Sequence, residues 1–118
     1  MITQLNASIS ALTAFSKEMR VTANNVANVN SDGFKKSRTT LQEGPSGDGV
    51  RARVDVVNTP GFMKQVEKDG ALQEVETSNV DLAEEIPNTI STKAGYKANL
   101  KSIQTIDEMI GSLLDTIG

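Results

Sequence analysis

Residues 24–34 read Asn24-Asn25-Val26-Ala27-Asn28-Val29-Asn30-Ser31-Asp32-Gly33-Phe34, and they close an apolar helical stretch with asparagines where an isolated helix would carry alanines. Asn is roughly 0.5 kcal/mol less favourable than Ala inside a helix, so helix propensity did not select Asn24, Asn25, Asn28 and Asn30. An amide side chain bonds backbone groups or other side chains across an interface. Four of them in one stretch point to contacts with a partner surface. Asn30-Ser31-Asp32-Gly33 then supplies a helix stop, with Gly33 suited to a left-handed cap.

Upstream of this stretch, Leu5, Leu12, Met19 and Val26 recur every seven residues, and Ile2, Ile9, Ser16 and Ala23 do the same three residues earlier. That pattern predicts a helix from Ile2 to about Val29 with one narrow apolar seam. Downstream, Val50, Ala52, Val54 and Val56 alternate with Arg51, Arg53 and Asp55, which reads as a half-buried strand. A first strand is expected from Phe34 to Leu41, with the glycine-rich run Gly44 to Gly49 as a turn or loop between the two. Residues 62–77 are polar enough to be an extended, partly disordered connection.

Helix is expected again from Ser78, with Ser78 or Asn79 as its cap and Asp81, Glu84 and Glu85 in the opening turns, where the dipole favours acid. Ile103, Ile106, Ile110, Leu113 and Ile117 form a second heptad-like seam. Pro87 lacks the backbone donor a helix interior needs, so a kink near it, or a helix restarting there, is expected. The expected fold is mainly α. A coiled-coil-like antiparallel pair of long terminal helices (residues 1–33 and 78–118) carries a small β-hairpin or loop excursion (residues 34–77), all in one domain.

Composition narrows the function. Aromatic residues are 3% of the chain, three Phe and one Tyr, so burial must come from aliphatic stripes, which favours elongated helix pairing. A net charge of −3 argues against nucleic acid as a partner. With no Cys and no His, thiol chemistry, thiolate metal sites and the commonest general base are absent. Adjacent acids such as Glu84-Glu85 point about 100° apart on a helix and do not converge as an acid/base pair. The Gly44 to Gly49 run lacks the Lys and Ser/Thr of a phosphate loop. No enzymatic activity, cofactor or metal is expected. No apolar run approaches the roughly 20 residues of a membrane span, and no cleavable signal peptide is expected.

Residues 23–34 with Lys35-Lys36-Ser37-Arg38 resemble the amino-terminal signature of bacterial flagellar axial proteins, the rod and hook family. Ser78-Asn79-Val80-Asp81-Leu82-Ala83-Glu84-Glu85, Tyr96-Lys97-Ala98-Asn99 and Thr105-Ile106-Asp107-Glu108-Met109 resemble that family's carboxy-terminal signature. The small middle segment resembles a proximal-rod-type member, because hook and distal-rod relatives carry larger insertions. Pro87 departs from the family's pattern for a straight carboxy-terminal helix, and Gly95, one position before Tyr96, adds flexibility at a related place.

The resemblance implies a structural subunit of the periplasmic basal-body rod. Such a subunit is exported through the flagellar type III apparatus without a cleaved signal, and it assembles with copies of itself and other rod proteins into a helical, torque-transmitting tube. Asn24, Asn25, Asn28, Asn30, Gly33, Phe34, Ser78, Asn79, Val80, Asp81, Tyr96 and Asn99 carry the family motif. Leu5, Ile9, Leu12, Met19 and Val26 on the first helix, and Ile103, Ile106, Ile110, Leu113 and Ile117 on the second, are the expected assembly interface. The alternative is a soluble helical adaptor or export-associated binding module that forms a small defined complex and never polymerises.

Overall fold

The computed structural model describes residues 2–118, in the order α1 (Ile2–Ala27), β1 (Ser37–Glu43), β2 (Val50–Val56), β3 (Met63–Lys68), β4 (Ala71–Glu76) and α2 (Leu82–Ile117). The molecule measures 81 × 25 × 20 Å, with a radius of gyration of 20.9 Å. A compact globule of this length would have a radius near 13–14 Å.

The helices pack antiparallel, with Asn25 bonded to Glu85 at one end and Phe15 set against Gly95 further along. A Cβ on Gly95 would lie 2.6 Å from Cζ of Phe15, so the missing side chain is what lets that ring press against the α2 backbone. The buried face of α1 is Ser8, Ala11, Ala14, Thr22 and Asn25, and that of α2 contains Glu85 and Thr92. Small and polar side chains therefore make up the fully buried part of the helix pair, with the half-buried Phe15 ring beside them. Thr92 satisfies its hydroxyl on the Asn88 carbonyl at 2.8 Å, as buried polar groups must.

α2 begins at Leu82, capped by Asp81, whose carboxylate accepts from the Ala83 N–H at 3.0 Å. Neither expected cap performs that role: Ser78 Oγ instead accepts from the Val80 N–H at 3.1 Å in the approach turn, and Asn79 is engaged elsewhere. Pro87 lies in the second turn, and the helix neither starts nor ends there. α1 ends at Ala27, two residues short of the expected boundary. Gly33 follows with φ +72°, the left-handed conformation read from its position, and its N–H donates to the Glu76 carbonyl at 2.9 Å.

The middle of the chain corrects the expected fold. It contains two separate two-stranded antiparallel sheets, where a mainly α chain with a single small excursion was expected. β1 and β2 pair from Ser37↔Val56 to Glu43↔Val50 and lie against α1. The tip of this hairpin touches the helix where the Val50 N–H donates to Ser10 Oγ at 3.0 Å. Gly49 has φ +71°, and a Cβ there would overlap Ser10 Oγ.

The residues expected to form a partly disordered connection instead form the second hairpin, with register Met63↔Glu76 to Lys68↔Ala71. Its two-residue turn is Asp69-Gly70, with φ 55° and 79°, the pair of positive φ values that suits the twist of a tight hairpin. Local turn chemistry outweighed the polarity of the strands. Nearly all of β3 and β4 is exposed on both faces.

Candidate functional site

The candidate functional residues fall into a polar junction, where α1, the two hairpins and α2 meet, and apolar stripes along the helices. Asn25 is the centre of the junction and is 1% exposed. Its Nδ2 donates to the Ser37 carbonyl at 2.8 Å and to Glu85 Oε1 at 3.1 Å, while its Oδ1 accepts from the Ser37 N–H at 3.0 Å. The amide thus acts as one more strand residue beside the first residue of β1. It also ties that strand to the opening turn of α2.

Asn79 repeats the device on the other side. Its Oδ1 accepts from the Lys36 N–H at 2.7 Å, and its Nδ2 donates to the carbonyls of Val57 and Thr59 at 2.8 and 2.9 Å. Its own N–H reaches the Phe34 carbonyl at 3.2 Å. Two amides therefore stitch together segments far apart in sequence.

Charges close the junction. Lys36 Nζ and Arg38 Nη2 reach the two oxygens of Glu84 at 2.9 and 2.8 Å, and Lys35 pairs with Glu76, which also accepts from the Gly61 N–H. The Lys36 ammonium, and then Arg38, hold the Glu84 carboxyl below its ordinary value; Lys35 does the same for Glu76, helped by the Gly61 N–H. Glu85, 4% exposed, is pushed up by burial against the opposing pull of the Asn25 amide.

A raised carboxyl disfavours the ionised folded state above the folded pKa, and the cost is relieved as pH falls through it. Glu84 and Glu76 have the opposite sign: their contribution is present above the unfolded value and lost as pH falls. Glu85→Gln keeps an acceptor for Asn25 and removes the charge. It is expected to raise Tm at pH 7, with the gain over the wild type shrinking as pH falls through the folded Glu85 pKa. Thermal melts between pH 7 and pH 4 read this directly, and a gain independent of pH would contradict the assignment.

The remaining motif residues act more locally. Asn28 Nδ2 donates to the Asn24 carbonyl at 2.8 Å and Asn28 Oδ1 accepts from Ser31 Oγ at 2.9 Å, shaping the helix exit. Asn99 bonds the Gly95 carbonyl at 2.9 Å within α2. Asn30 is exposed, whereas Phe34 and Val80 are half-buried. Tyr96 shares a recess with Ser16, Met19, Arg20 and Ala23, which brings one motif residue to one seam residue.

The helix pair covers the two seams only in part. Ile2, Ile9 and Val26 are exposed, and Leu5, Leu12 and Met19 are half-buried. At about 100° per residue, their stripe lies roughly 100° around α1 from the buried small-residue face. On α2, Ile103, Ile106 and Ile110 do continue the face turned to α1 and are half-buried, but Leu113 and Ile117 are exposed. Stepping back from Phe15 to Ile2 moves the pairing forward on α2 to about residue 108, so these two lie past the described end of α1. Leu82, Ile86, Ile90 and Leu100 form a further exposed apolar stripe on α2.

Sequence reading missed Glu85 as the partner of Asn25, Asn79 as a stitch between strands, and the Lys36–Glu84–Arg38 cluster. Opposite charges in Lys35-Lys36-Ser37-Arg38 and Glu84-Glu85 were the available signal for the last of these.

Comparison with known proteins agrees with this arrangement at both ends. Residues 5–35 match the family described as flagella basal body rod protein, and residues 70–116 match the flagellar basal body rod FlgEFG protein C-terminal family. The chain is 32% identical to the flagellar basal-body rod protein FlgC of Escherichia coli O157:H7, over 86% of this chain and 86% of that protein. It is 54% identical over 39 residues to the rod protein FlgG of Buchnera aphidicola subsp. Acyrthosiphon pisum, a match covering 33% of this chain and 15% of that relative. The chain therefore spans only a small part of the FlgG relatives. These relatives are rod proteins rather than enzymes. With α1 and α2 each matching a terminal rod segment and FlgC likeness running through most of both chains, the protein belongs to the flagellar basal-body rod protein family.

Proposed function

We propose that this chain is a rod subunit that assembles with itself and with other basal-body proteins through the outer faces of α1 and α2, forming a helical tube that transmits torque. It reaches the periplasm through the flagellar type III apparatus. The observation that carries this reading is the inversion of burial: the fully buried residues of the helix pair are small or polar, while Ile2 (74% exposed) and Ile9 (48% exposed) on α1, and Ile86 and Ile90 on α2, are left open. Exposed apolar side chains in this number on two helix faces are surface for a partner to cover. Heterologous contacts that do not close produce an open filament.

Ile9→Asp tests the reading without disturbing the helix pair, because Ile9 is exposed in the single chain. Losing the apolar contact and placing a carboxylate in an interface is expected to raise the concentration for half-assembly about tenfold or more, with unchanged circular dichroism of the monomer. Sedimentation velocity across a concentration series measures it. Growth of the wild type to open-ended species, suppressed by Ile9→Asp, supports the rod subunit. A wild-type complex of fixed small mass would support the adaptor.

A further inference from the structure

The second hairpin, β3–β4, makes no extensive contact with either helix or with the other hairpin. Lys64 pairs with Asp32 at 2.8 Å, and Lys35 holds Glu76; together with the bonds at residues 61–62 and 76–77, these fix the base and leave the rest projecting. An isolated two-stranded hairpin is marginal in water, so a bare one on a rod subunit requires cover.

Its ladder sorts the side chains. Residues paired across an antiparallel ladder share a face. One face therefore carries Lys64, Val66, Lys68, Ala71, Gln73 and Val75; the other carries Met63, Gln65, Glu67, Leu72, Glu74 and Glu76. The first face is basic and the second acidic. Lys68, Glu67 and Glu74 have no ion-pair partner among the described residues. Each face also holds exposed apolar surface, Val66 on the basic side and Met63 and Leu72 on the acidic side.

We propose that β3–β4 is a stacking element between copies of this chain, the basic face of one hairpin lying on the acidic face of the next. Opposite charges on opposite faces disfavour a two-fold contact of a face with itself, since the unpaired Lys68, or the unpaired Glu67 and Glu74, would meet their like. They favour the head-to-tail repeat that continues without closing. Val66 of one copy then shelters Leu72 of its neighbour while Lys68 reaches Glu67 and Glu74. This assignment rests on the self-assembly reading and adds to it a contact that sets direction.

Charge reversal tests it. Lys68→Glu makes both faces acidic, and the double variant Glu67→Lys with Glu74→Lys makes both basic. Each alone is expected to raise the half-assembly concentration about tenfold, the scale of 1.4 kcal/mol, with monomer circular dichroism unchanged because all three positions are exposed. An equimolar mixture is expected to assemble near the wild-type concentration, because every mixed junction again sets Lys against Glu. Reversal variants that assemble like the wild type while Ile9→Asp does not, or a mixture no better than its components, would overturn the stacking and leave the helix-face reading intact. Edge-to-edge strand pairing, indifferent to face charge, would show the first of these outcomes. A wild type that stays monomeric at every concentration would sink the assembly reading itself.

Discussion

Replacing Asn25 with Ala is expected to cost about 2–4 kcal/mol of folding stability, the scale for losing several buried hydrogen bonds at once. The substitution leaves the Ser37 N–H and carbonyl without the amide that pairs with both, and leaves the buried Glu85 without its donor. Asn25→Asp separates the roles further. It keeps an acceptor for the Ser37 N–H but sets a second carboxylate against Glu85, so at neutral pH it is expected to be the worse of the two and to recover partly in acid. Denaturant titration followed at the helix band, with hydrogen exchange of the Ser37 amide, measures both. An Asn25→Ala chain within about 0.5 kcal/mol of the wild type would mean that the junction contributes geometry and little stability.

Gly61→Ala is the second large effect. A Cβ at Gly61 would overlap the carbonyl oxygen of Thr77 and lie 2.8 Å from its carbon and 3.0 Å from the Ser78 carbon. These are main-chain atoms in a fixed place. The Thr77 N–H and hydroxyl both bond the Phe62 carbonyl, at 2.7 and 2.9 Å, and the Gly61 N–H bonds Glu76 at 3.0 Å. Relief requires opening the base of β3–β4, and the strain passes through Ser78 to Asn79 and its bonds. Destabilisation of about 3 kcal/mol is expected, at the upper end for overpacking because backbone must move. Gly111→Ala is the contrasting control, with nothing within 4 Å of its Cβ, and is expected to stabilise by up to about 1 kcal/mol through helix propensity. Equal melting temperatures for the two variants would refute the steric account.

The helices were legible because their apolar repeats and stop signals are local. The seven-residue recurrence of Leu5, Leu12, Met19 and Val26 identified a helix, but periodicity reports a stripe and not what covers it. The small residues Ser8, Ala11 and Ala14 make the intramolecular contact and carry almost no hydropathy signal. β3–β4 escaped notice because both its faces are exposed, so the alternation that marks a half-buried strand is missing; only Asp69-Gly70 betrayed it. The Asn25 to Glu85 bond spans sixty residues of sequence. The asparagines of residues 24–30 signalled contacts with a partner surface, and the structure finds those of Asn25 within the chain; Asn79, which makes a similar set, carried no such signal. Asn30 remains outward.

The small, polar filling between α1 and α2 has a calorimetric consequence. The heat-capacity increment of unfolding scales with apolar area newly hydrated, ordinarily about 12–15 cal/mol/K per residue, and here, among the described residues, only Ala11 and Ala14 are fully buried hydrophobic residues. A single chain should therefore melt with a shallow increment and a broad transition, while association covering the outer apolar stripes should release a large negative one. In the proposed assembly, much of what a globular protein gains by folding is deferred until the chain joins its neighbours.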